Sequence, residues 1–200
     1  LTDTFNGFVR PDGSVGVRNH LLVMSVTGLT GPTARRIAAI VADTVVVDYP
    51  YGTAAMTPIG GDGDLHDRAL VGFATNPNVG AVLIIGANPP RTEALAERIA
   101  VSGKPVRAIT LDECGHDAIT LTERGLRMAA ELAKALSRQR REPVPTSALY
   151  VALECGRSDP SSGLVTNPLM GLIADAMVDL GGCAIIGEST EWLGAEHLLA

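Results

Sequence analysis

The chain has 200 residues, of which 46% are hydrophobic and 4% aromatic, and its formal net charge is −6 at pH 7. This balance excludes a disordered chain and offers no basic surface for nucleic acid. No apolar run reaches the roughly 18 residues of a membrane span, and the N-terminus lacks the apolar core of a signal peptide. Three cysteines are too few, and odd in number, for a disulfide framework, so we expect a cytoplasmic protein.

The N-terminal part of the chain alternates between strand-like and helix-like segments. An extended arm over residues 5–17 turns at Pro11-Asp12-Gly13. Apolar or β-branched runs then predict four strands, at residues 21–26, 44–48, 81–85 and 106–110. Helical spacing predicts four helices. The first starts at Thr30-Gly31-Pro32, the second carries Leu65, Ala69, Gly72 and Phe73, and the third carries Leu95 and Ile99. The fourth covers about 118–136, with Leu126, Ala129, Ala130 and Ala133 facing inward.

This alternation predicts an α/β fold with a doubly wound, mostly parallel sheet. The charged, proline-bearing segment 137–147 indicates a boundary, so we expect one domain over residues 1–140 and a second from 146 to 200. In the second domain a strand at 149–153 precedes a helix with an apolar stripe from Leu169 to Leu180 and a strand at 184–186. One such unit cannot bury both faces of its sheet, so we expect a truncated piece: the beginning of a larger α/β domain.

The densest polar motif runs from Cys155 to Gly163, directly after a predicted strand. Ligands of open α/β sheets bind beyond the carboxyl ends of the strands. Asn167-Pro168 is typical of a helix N-terminus, whose partial positive charge suits a carboxylate. The candidate substrate-binding residues here are Arg157, Ser158, Ser161, Ser162 and Asn167. An ordinary polar loop with a helix cap fits the same pattern.

An acidic motif, Glu188 to Glu196, follows the next strand and is expected at the same sheet edge. Carboxylates there could serve as proton acceptors or as hard oxygen ligands. The candidate catalytic residues are Asp159, Glu188 and Glu191, and the candidate metal ligands are Cys155, Asp159, Glu188 and Glu196. Alternatively, the acids simply favour a helix N-terminus. Arg18 and Asn19, before the first strand, could position a substrate anion or could equally be surface turn residues.

These motifs together resemble one family. Residues 7–19 resemble the opening of the second domain of the altronate/galactarate dehydratase family, and Asn76-Pro77-Asn78 matches a further segment. The Cys155–Gly163 and Glu188–Glu196 motifs are similar to the family's in order and spacing. The resemblance implies a hydro-lyase that removes water from a small-molecule sugar acid such as altronate or galactarate, giving a 2-keto-3-deoxy acid. It also implies a divalent metal, Fe2+ or Mn2+, and allows a homo-oligomer.

Two alternatives follow from the same resemblance. The superfamily includes the large subunit of sulfolactate sulfo-lyase, which expels sulfite instead of hydroxide. In addition, three cysteines typical of the family are absent here, where the chain has Ser25–Leu29, Tyr51–Met56 and Gly86–Asn88. If those thiols help to hold the metal, this metal site is altered or lost, and the chain is a non-catalytic binding homologue.

Overall fold

The computed structural model describes residues 2–48 and 62–198, and the chain divides into two compact units. The N-terminal unit is Gly7–Glu142, and the C-terminal unit is Pro143–Ala200 together with Leu1–Asn6. Among the described helices, none is long and apolar enough to cross a lipid bilayer.

The chain opens with an antiparallel hairpin of β1 (Thr4–Val9) and β2 (Val15–Gly16). Four parallel strands follow: β3 (His20–Ser25), β4 (Thr44–Val47), β5 (Val79–Gly86) and β6 (Val106–Thr110). They lie in the order β4-β3-β5-β6, and β5 is buried along its whole length. All four predicted strands are therefore confirmed.

Helices cover both faces of this sheet. The four are α1 (Gly31–Ile40), α2 (Asp62–Thr75), α3 (Pro89–Ala100) and α4 (Ala118–Leu136). Helices α1 and α4 pack on one face and α2 and α3 on the other. Because successive side chains of a strand point to opposite faces, Leu21 of β3 enters the first core and Leu22 the second. The predicted doubly wound α/β architecture is confirmed.

Two predicted helix faces are wrong in detail. Leu65 and Phe73 of α2 are 59% and 55% exposed, whereas Leu70 and Ala74 are buried. Ala130 of α4, predicted to face inward, is exposed. On α2, the set with Leu65 and Phe73 and the set with Leu70 and Ala74 both have helical spacing. The sequence alone therefore does not show which set is buried, and packing against the sheet decides it.

The C-terminal unit contains β7 (Glu142–Pro145) from Pro143 onwards, β8 (Tyr150–Leu153), α5 (Asn167–Asp179) and β9 (Cys183–Ile186). Strand β7 belongs to a three-stranded sheet of order β2-β1-β7, so the predicted boundary segment is partly a strand. Strands β8 and β9 pair in parallel, and α5 lies between them in the chain. The apolar stripe of α5 is only partly buried: Met177 is 4% exposed, whereas Leu172 is 67% exposed.

Gly86, at the end of β5, has no room for a side chain. A Cβ there would overlap Thr92 Oγ1 and lie 2.9 Å from Thr92 Cβ, whereas a Cβ at Gly72 on α2 would meet nothing within 4 Å. We expect Gly86→Ala to lower the free energy of unfolding by about 1–3 kcal/mol, and the control Gly72→Ala to raise it by about 0.5–1 kcal/mol. Urea denaturation followed by circular dichroism measures the free energy of unfolding of both variants. Equal changes in the two would contradict the close approach of Thr92 to Gly86.

Candidate functional site

The carboxyl ends of β8 and β9 bring two polar loops together. Leu153 pairs with Ile186, and the Gly187 amide donates to the Leu153 carbonyl at 2.9 Å. Because the strands are parallel, the loops that begin at Cys155 and at Glu188 leave the same edge of this sheet. This is the juxtaposition expected from the sequence, and it lies entirely within the C-terminal unit.

Asp159 begins a helical segment. Pro160 and Ser161 are helical, a π-helical turn covers Ser162–Thr166, and α5 continues directly from it. Asp159 Oδ1 accepts hydrogen bonds from the Ser161 amide at 2.8 Å, the Ser162 amide at 3.2 Å and the Ser161 hydroxyl at 2.5 Å. Asp159 therefore caps the helix, with Pro160 in its first position.

Helix α5 begins at Asn167 as predicted, but the predicted N-cap role of Asn167 is wrong, because a π-helical turn runs directly into the helix. Asn167 has helical backbone angles of −65° and −44°, so it does not cap a free helix end. Asp159-Pro160 and Asn167-Pro168 are both typical cap–proline pairs, and the first of them starts the helical segment. Pro168 lacks an amide hydrogen and cannot donate a helical hydrogen bond. We attribute the π-helical turn Ser162–Thr166 just before it to the accommodation of this proline inside a helix.

These hydrogen bonds also decide the charge of Asp159. The Ser161 hydroxyl, followed by the amides of Ser162 and Ser161, lowers the pKa of Asp159 below its usual value. The carboxylate thus stays ionised but is a weak proton acceptor. It also occupies the amides of Ser161 and Ser162, so these two donors are engaged within the loop.

Arg157 remains the available cation of this loop. Its carbonyl accepts from the Ser162 hydroxyl, but within residues 2–48 and 62–198 no hydrogen bond or ion pair involves its guanidinium. Ser158 Oγ lies 3.7 Å from Cys155 Sγ. The hydroxyls of Ser161 and Ser162 are thus engaged within the loop, whereas the exposed guanidinium is free to meet an anion.

The acidic loop adds carboxylates to the same edge. Glu188 is exposed and has a left-handed backbone with φ of 54°, an uncommon conformation for a residue other than glycine. A 3-10 turn, Ser189–Trp192, follows it and includes the backbone of Glu191. Glu196 Oε1 accepts from the Gly194 amide at 3.0 Å, which lowers the pKa of Glu196.

Sequence reasoning missed Glu154. This exposed residue follows β8 directly, and its carboxylate rests against Gly187, where an added Cβ would overlap Oε2. The parallel strand pairing places Glu154 abreast of Gly187. The available signal was its position at the end of a predicted strand, just before the Cys155 motif.

Arg18 and Asn19 belong to the N-terminal unit, where a buried arginine organises their surroundings. Arg10 is 4% exposed and donates to the Pro77 carbonyl at 2.7 Å, Asn19 Oδ1 at 2.7 Å and the Arg18 carbonyl at 2.8 Å. Asn78 Oδ1 accepts from the Arg18 amide at 3.0 Å. Asn19 is therefore engaged in the scaffold, and the Arg10 and Asn76-Pro77-Asn78 motifs hold one another.

Lys104 caps the carboxyl end of α2, next to the Asn76-Pro77-Asn78 motif. Its side-chain amine donates to the carbonyls of Ala74 at 3.4 Å, Thr75 at 2.6 Å and Asn76 at 2.7 Å. Burial, followed by the charge of Arg10, lowers the pKa of Lys104 to about 8. The amine therefore loses its proton at a lower pH in the folded chain than in the unfolded chain.

This difference gives a pH dependence. Between pH of about 8 and the ordinary lysine pKa of 10.5, the unfolded chain keeps a proton that the folded chain has lost. We expect the free energy of unfolding of the native chain, minus that of a Lys104→Met variant, to rise with pH across this window and to stay flat below it. Urea titrations at several pH values measure it, and a falling difference would contradict the lowered pKa.

The predicted metal ligands do not form a cluster in the described part of the chain. Among the side chains that the structure describes, no three of His, Cys, Asp or Glu could share a metal ion. In the first stretch that lacks a family cysteine, Ser25 is buried, and its hydroxyl donates a hydrogen bond to the Thr27 carbonyl at 2.6 Å. The second stretch, Tyr51–Met56, lies outside the described residues. The described residues thus do not fit a metal centre, and Fe2+ or Mn2+ stays a prediction.

Two parts of the chain match models of known protein families. Residues 146–200 match the C-terminal domain of the D-galactarate/altronate dehydratases. The chain is similar to the (2R)-sulfolactate sulfo-lyase subunit beta of Chromohalobacter salexigens, with 37% identity over 98% of this chain and 49% of that protein. It is also similar to the altronate dehydratase of Bacillus subtilis, with 29% identity over 98% and 41%, and to the galactarate dehydratase (L-threo-forming) of Escherichia coli, with 27% identity over 98% and 41%.

The chain thus spans less than half the length of these relatives, all of which are lyases by name. Residues 7–137, which cover the doubly wound sheet, match the second domain of D-galactarate dehydratase/altronate hydrolase. The chain therefore belongs to the D-galactarate dehydratase/altronate hydrolase family.

Proposed function

We propose that this chain is part of a hydro-lyase that removes water from a sugar acid, and that the β8–β9 edge holds the substrate carboxylate. The observation that carries the proposal is the pairing of β8 and β9, which places the loops of Arg157 and Glu188 at one edge of a family domain. Relatives named altronate dehydratase and galactarate dehydratase support the reaction class.

Arg157 would bind the substrate. Its guanidinium offers paired N–H donors to a carboxylate, and no described residue competes for them. Holding the carboxylate there orients the neighbouring carbon towards the acidic loop. The Asp159 cap keeps the backbone of the Arg157 loop attached to the helix, so Asp159 acts in our proposal as a positioning residue.

Glu188 is the carboxylate we assign to proton transfer. It is exposed at the same edge, and in the described residues no hydrogen bond holds its side chain. In the proposed reaction Glu188 accepts the proton from C2, beside the substrate carboxylate. The C3–O bond then breaks, and the leaving hydroxide takes a proton from solvent to become water. Glu188 returns its proton to solvent, and the resulting enol tautomerises to a 2-keto-3-deoxy acid.

Sulfite elimination is the second candidate. It is favoured by the 37% identity to a sulfolactate sulfo-lyase subunit. The same arrangement would serve it, because the proton again leaves C2 while the C3–S bond breaks and sulfite departs.

A substrate panel tests the proposal. The full-length protein is incubated anaerobically with Fe2+, with Mn2+ or with a chelator, against aldonates, aldarates and sulfolactate, and 2-keto acid and sulfite are measured. We expect 2-keto acid without sulfite from a sugar acid. Sulfite release would replace dehydration by the second candidate. No product from folded protein under any metal condition would favour the non-catalytic homologue, and metal content by mass spectrometry tests the metal prediction separately.

A further inference from the structure

We propose that the turn between β3 and α1, residues 26–30, binds a phosphate group, either that of a nucleotide or free phosphate. The turn belongs to the N-terminal unit, so the proposal does not depend on the reaction assigned to the β8–β9 edge. It gives the chain a second binding site with a different ligand chemistry.

The turn lies where ligands of open α/β sheets bind. The four parallel strands have the order β4-β3-β5-β6, which reverses between β3 and β5. Helices α1 and α3 follow these two strands and pack on opposite faces of the sheet, so the turns that lead into them diverge at its carboxyl edge. Flavodoxin-like sheets share this strand order and hold flavin mononucleotide at this point.

The start of α1 has free hydrogen-bond donors. Thr30 precedes the helix, but its hydroxyl donates to the Ile85 carbonyl at 3.1 Å and does not cap the helix. To no acceptor in the described part of the chain do the amides of Thr27, Gly28 and Leu29 donate a hydrogen bond. Consecutive free amides at a helix N-terminus are the donors that bind phosphate in many proteins.

The Thr27 hydroxyl is an independent sign of a ligand. Thr27 is 3% exposed, and its Oγ1 atom has no hydrogen-bond partner among the residues that the structure describes. The hydroxyls of Ser25 and Thr30 beside it are both bonded to backbone carbonyls. A buried hydroxyl without a partner is costly and uncommon, so it calls for an acceptor. A phosphate group has several acceptor oxygens and could bond to this hydroxyl and to the free amides together.

The charges around the turn favour an anion. The Asp48 carboxylate lies close to Gly31, the first residue of α1, but it is paired with Arg35, which neutralises its charge. In α1 and α3, both of which are fully described, the first turn has no acid and no side chain caps the helix. Asp117, by contrast, caps the start of α4. The positive ends of α1 and α3 thus remain available to a ligand.

The experiment measures binding to the folded full-length protein by isothermal titration calorimetry. The probes are flavin mononucleotide, AMP, inorganic phosphate and gluconate, a carboxylate without phosphate. We expect saturable binding of a phosphate probe, and binding of gluconate at least about tenfold weaker, because its single carboxylate offers fewer acceptor oxygens to the turn. The phosphate probe that binds most tightly shows whether the phosphate is carried by a nucleotide or is free.

Thr27→Val keeps the shape of the side chain and removes its hydroxyl. We expect the affinity for the phosphate probe to fall about tenfold, the order of one hydrogen bond to a charged acceptor. We also expect the melting temperature of the unliganded protein to rise, because a buried hydroxyl without a partner is removed. A hydroxyl with only a structural role would not give these opposite effects.

Thr44→Val is the matched control. Thr44 starts β4, at the amino edge of the same sheet, and its hydroxyl donates to the Ala42 carbonyl at 3.3 Å. We expect this variant to bind the phosphate probe as the native protein does. Native affinity in Thr27→Val, equally tight binding of gluconate, or no saturable binding of any phosphate probe up to about 10 mM would overturn the inference. The lyase assignment is tested separately, by turnover.

Discussion

Replacing Arg10 by Met is expected to lower the free energy of unfolding by about 3 kcal/mol, because three acceptors lose a charged donor. The guanidinium is almost fully buried and bonds to Pro77, Asn19 and Arg18. It joins the hairpin to the segment that precedes β5, so its loss should separate parts of the N-terminal unit that are distant in sequence. Urea denaturation measures the change.

Arg141→Met is the matched control. The guanidinium carbons of Arg10 and Arg141 lie 5.6 Å and 5.2 Å from the centroid of the same Phe8 ring. Arg141 is exposed, however, and donates one hydrogen bond, to the Val17 carbonyl at 2.9 Å. We expect a change of about 0.5 kcal/mol. Similar effects of the two substitutions would show that stacking on Phe8, and not the buried hydrogen bonds, gives Arg10 its importance.

The largest expected effect on activity comes from Arg157→Gln in the full-length protein. We expect kcat/KM for the acid substrate to fall about 100-fold, the order expected when a charged partner of a carboxylate is removed, with most of the loss in KM. The melting temperature should not change, because the guanidinium contacts no described residue through a hydrogen bond or ion pair.

Arg157→Lys separates charge from geometry. Lysine keeps the charge but lacks the planar fork, so we expect activity between that of the native protein and that of Arg157→Gln. Native-like kcat/KM in Arg157→Gln would remove this residue from the substrate site. A lower melting temperature in that variant would instead indicate a structural role.

Strands and helix positions could be predicted because their signals are local. The apolar run of β5 and the spacing of α4 each lie within one segment, and the structure has them at Val79–Gly86 and Ala118–Leu136. The alternation of the two element types then predicts a parallel sheet. Membership of the dehydratase family likewise followed from motifs within short stretches of the chain.

The buried face of α2 and the residue that caps the last helical segment could not be chosen from the sequence pattern. Two apolar sets on α2 share helical spacing, and two cap–proline pairs compete before α5. In each case local preferences are nearly equal, so the choice depends on packing or on a hydrogen bond such as that between Asp159 and the Ser161 amide.

The sequence by itself determined the fold class, the order of the elements and the family, because these depend on patterns of neighbouring residues. The tertiary structure decided which polar residues are available for chemistry. It engages Asn19 with Arg10, uses Asp159 as a helix cap, leaves Arg157 open and places Glu154 against Gly187. These outcomes depend on contacts between residues that are distant in sequence, or on competition for the same hydrogen-bond donors, and neither is visible in a local pattern.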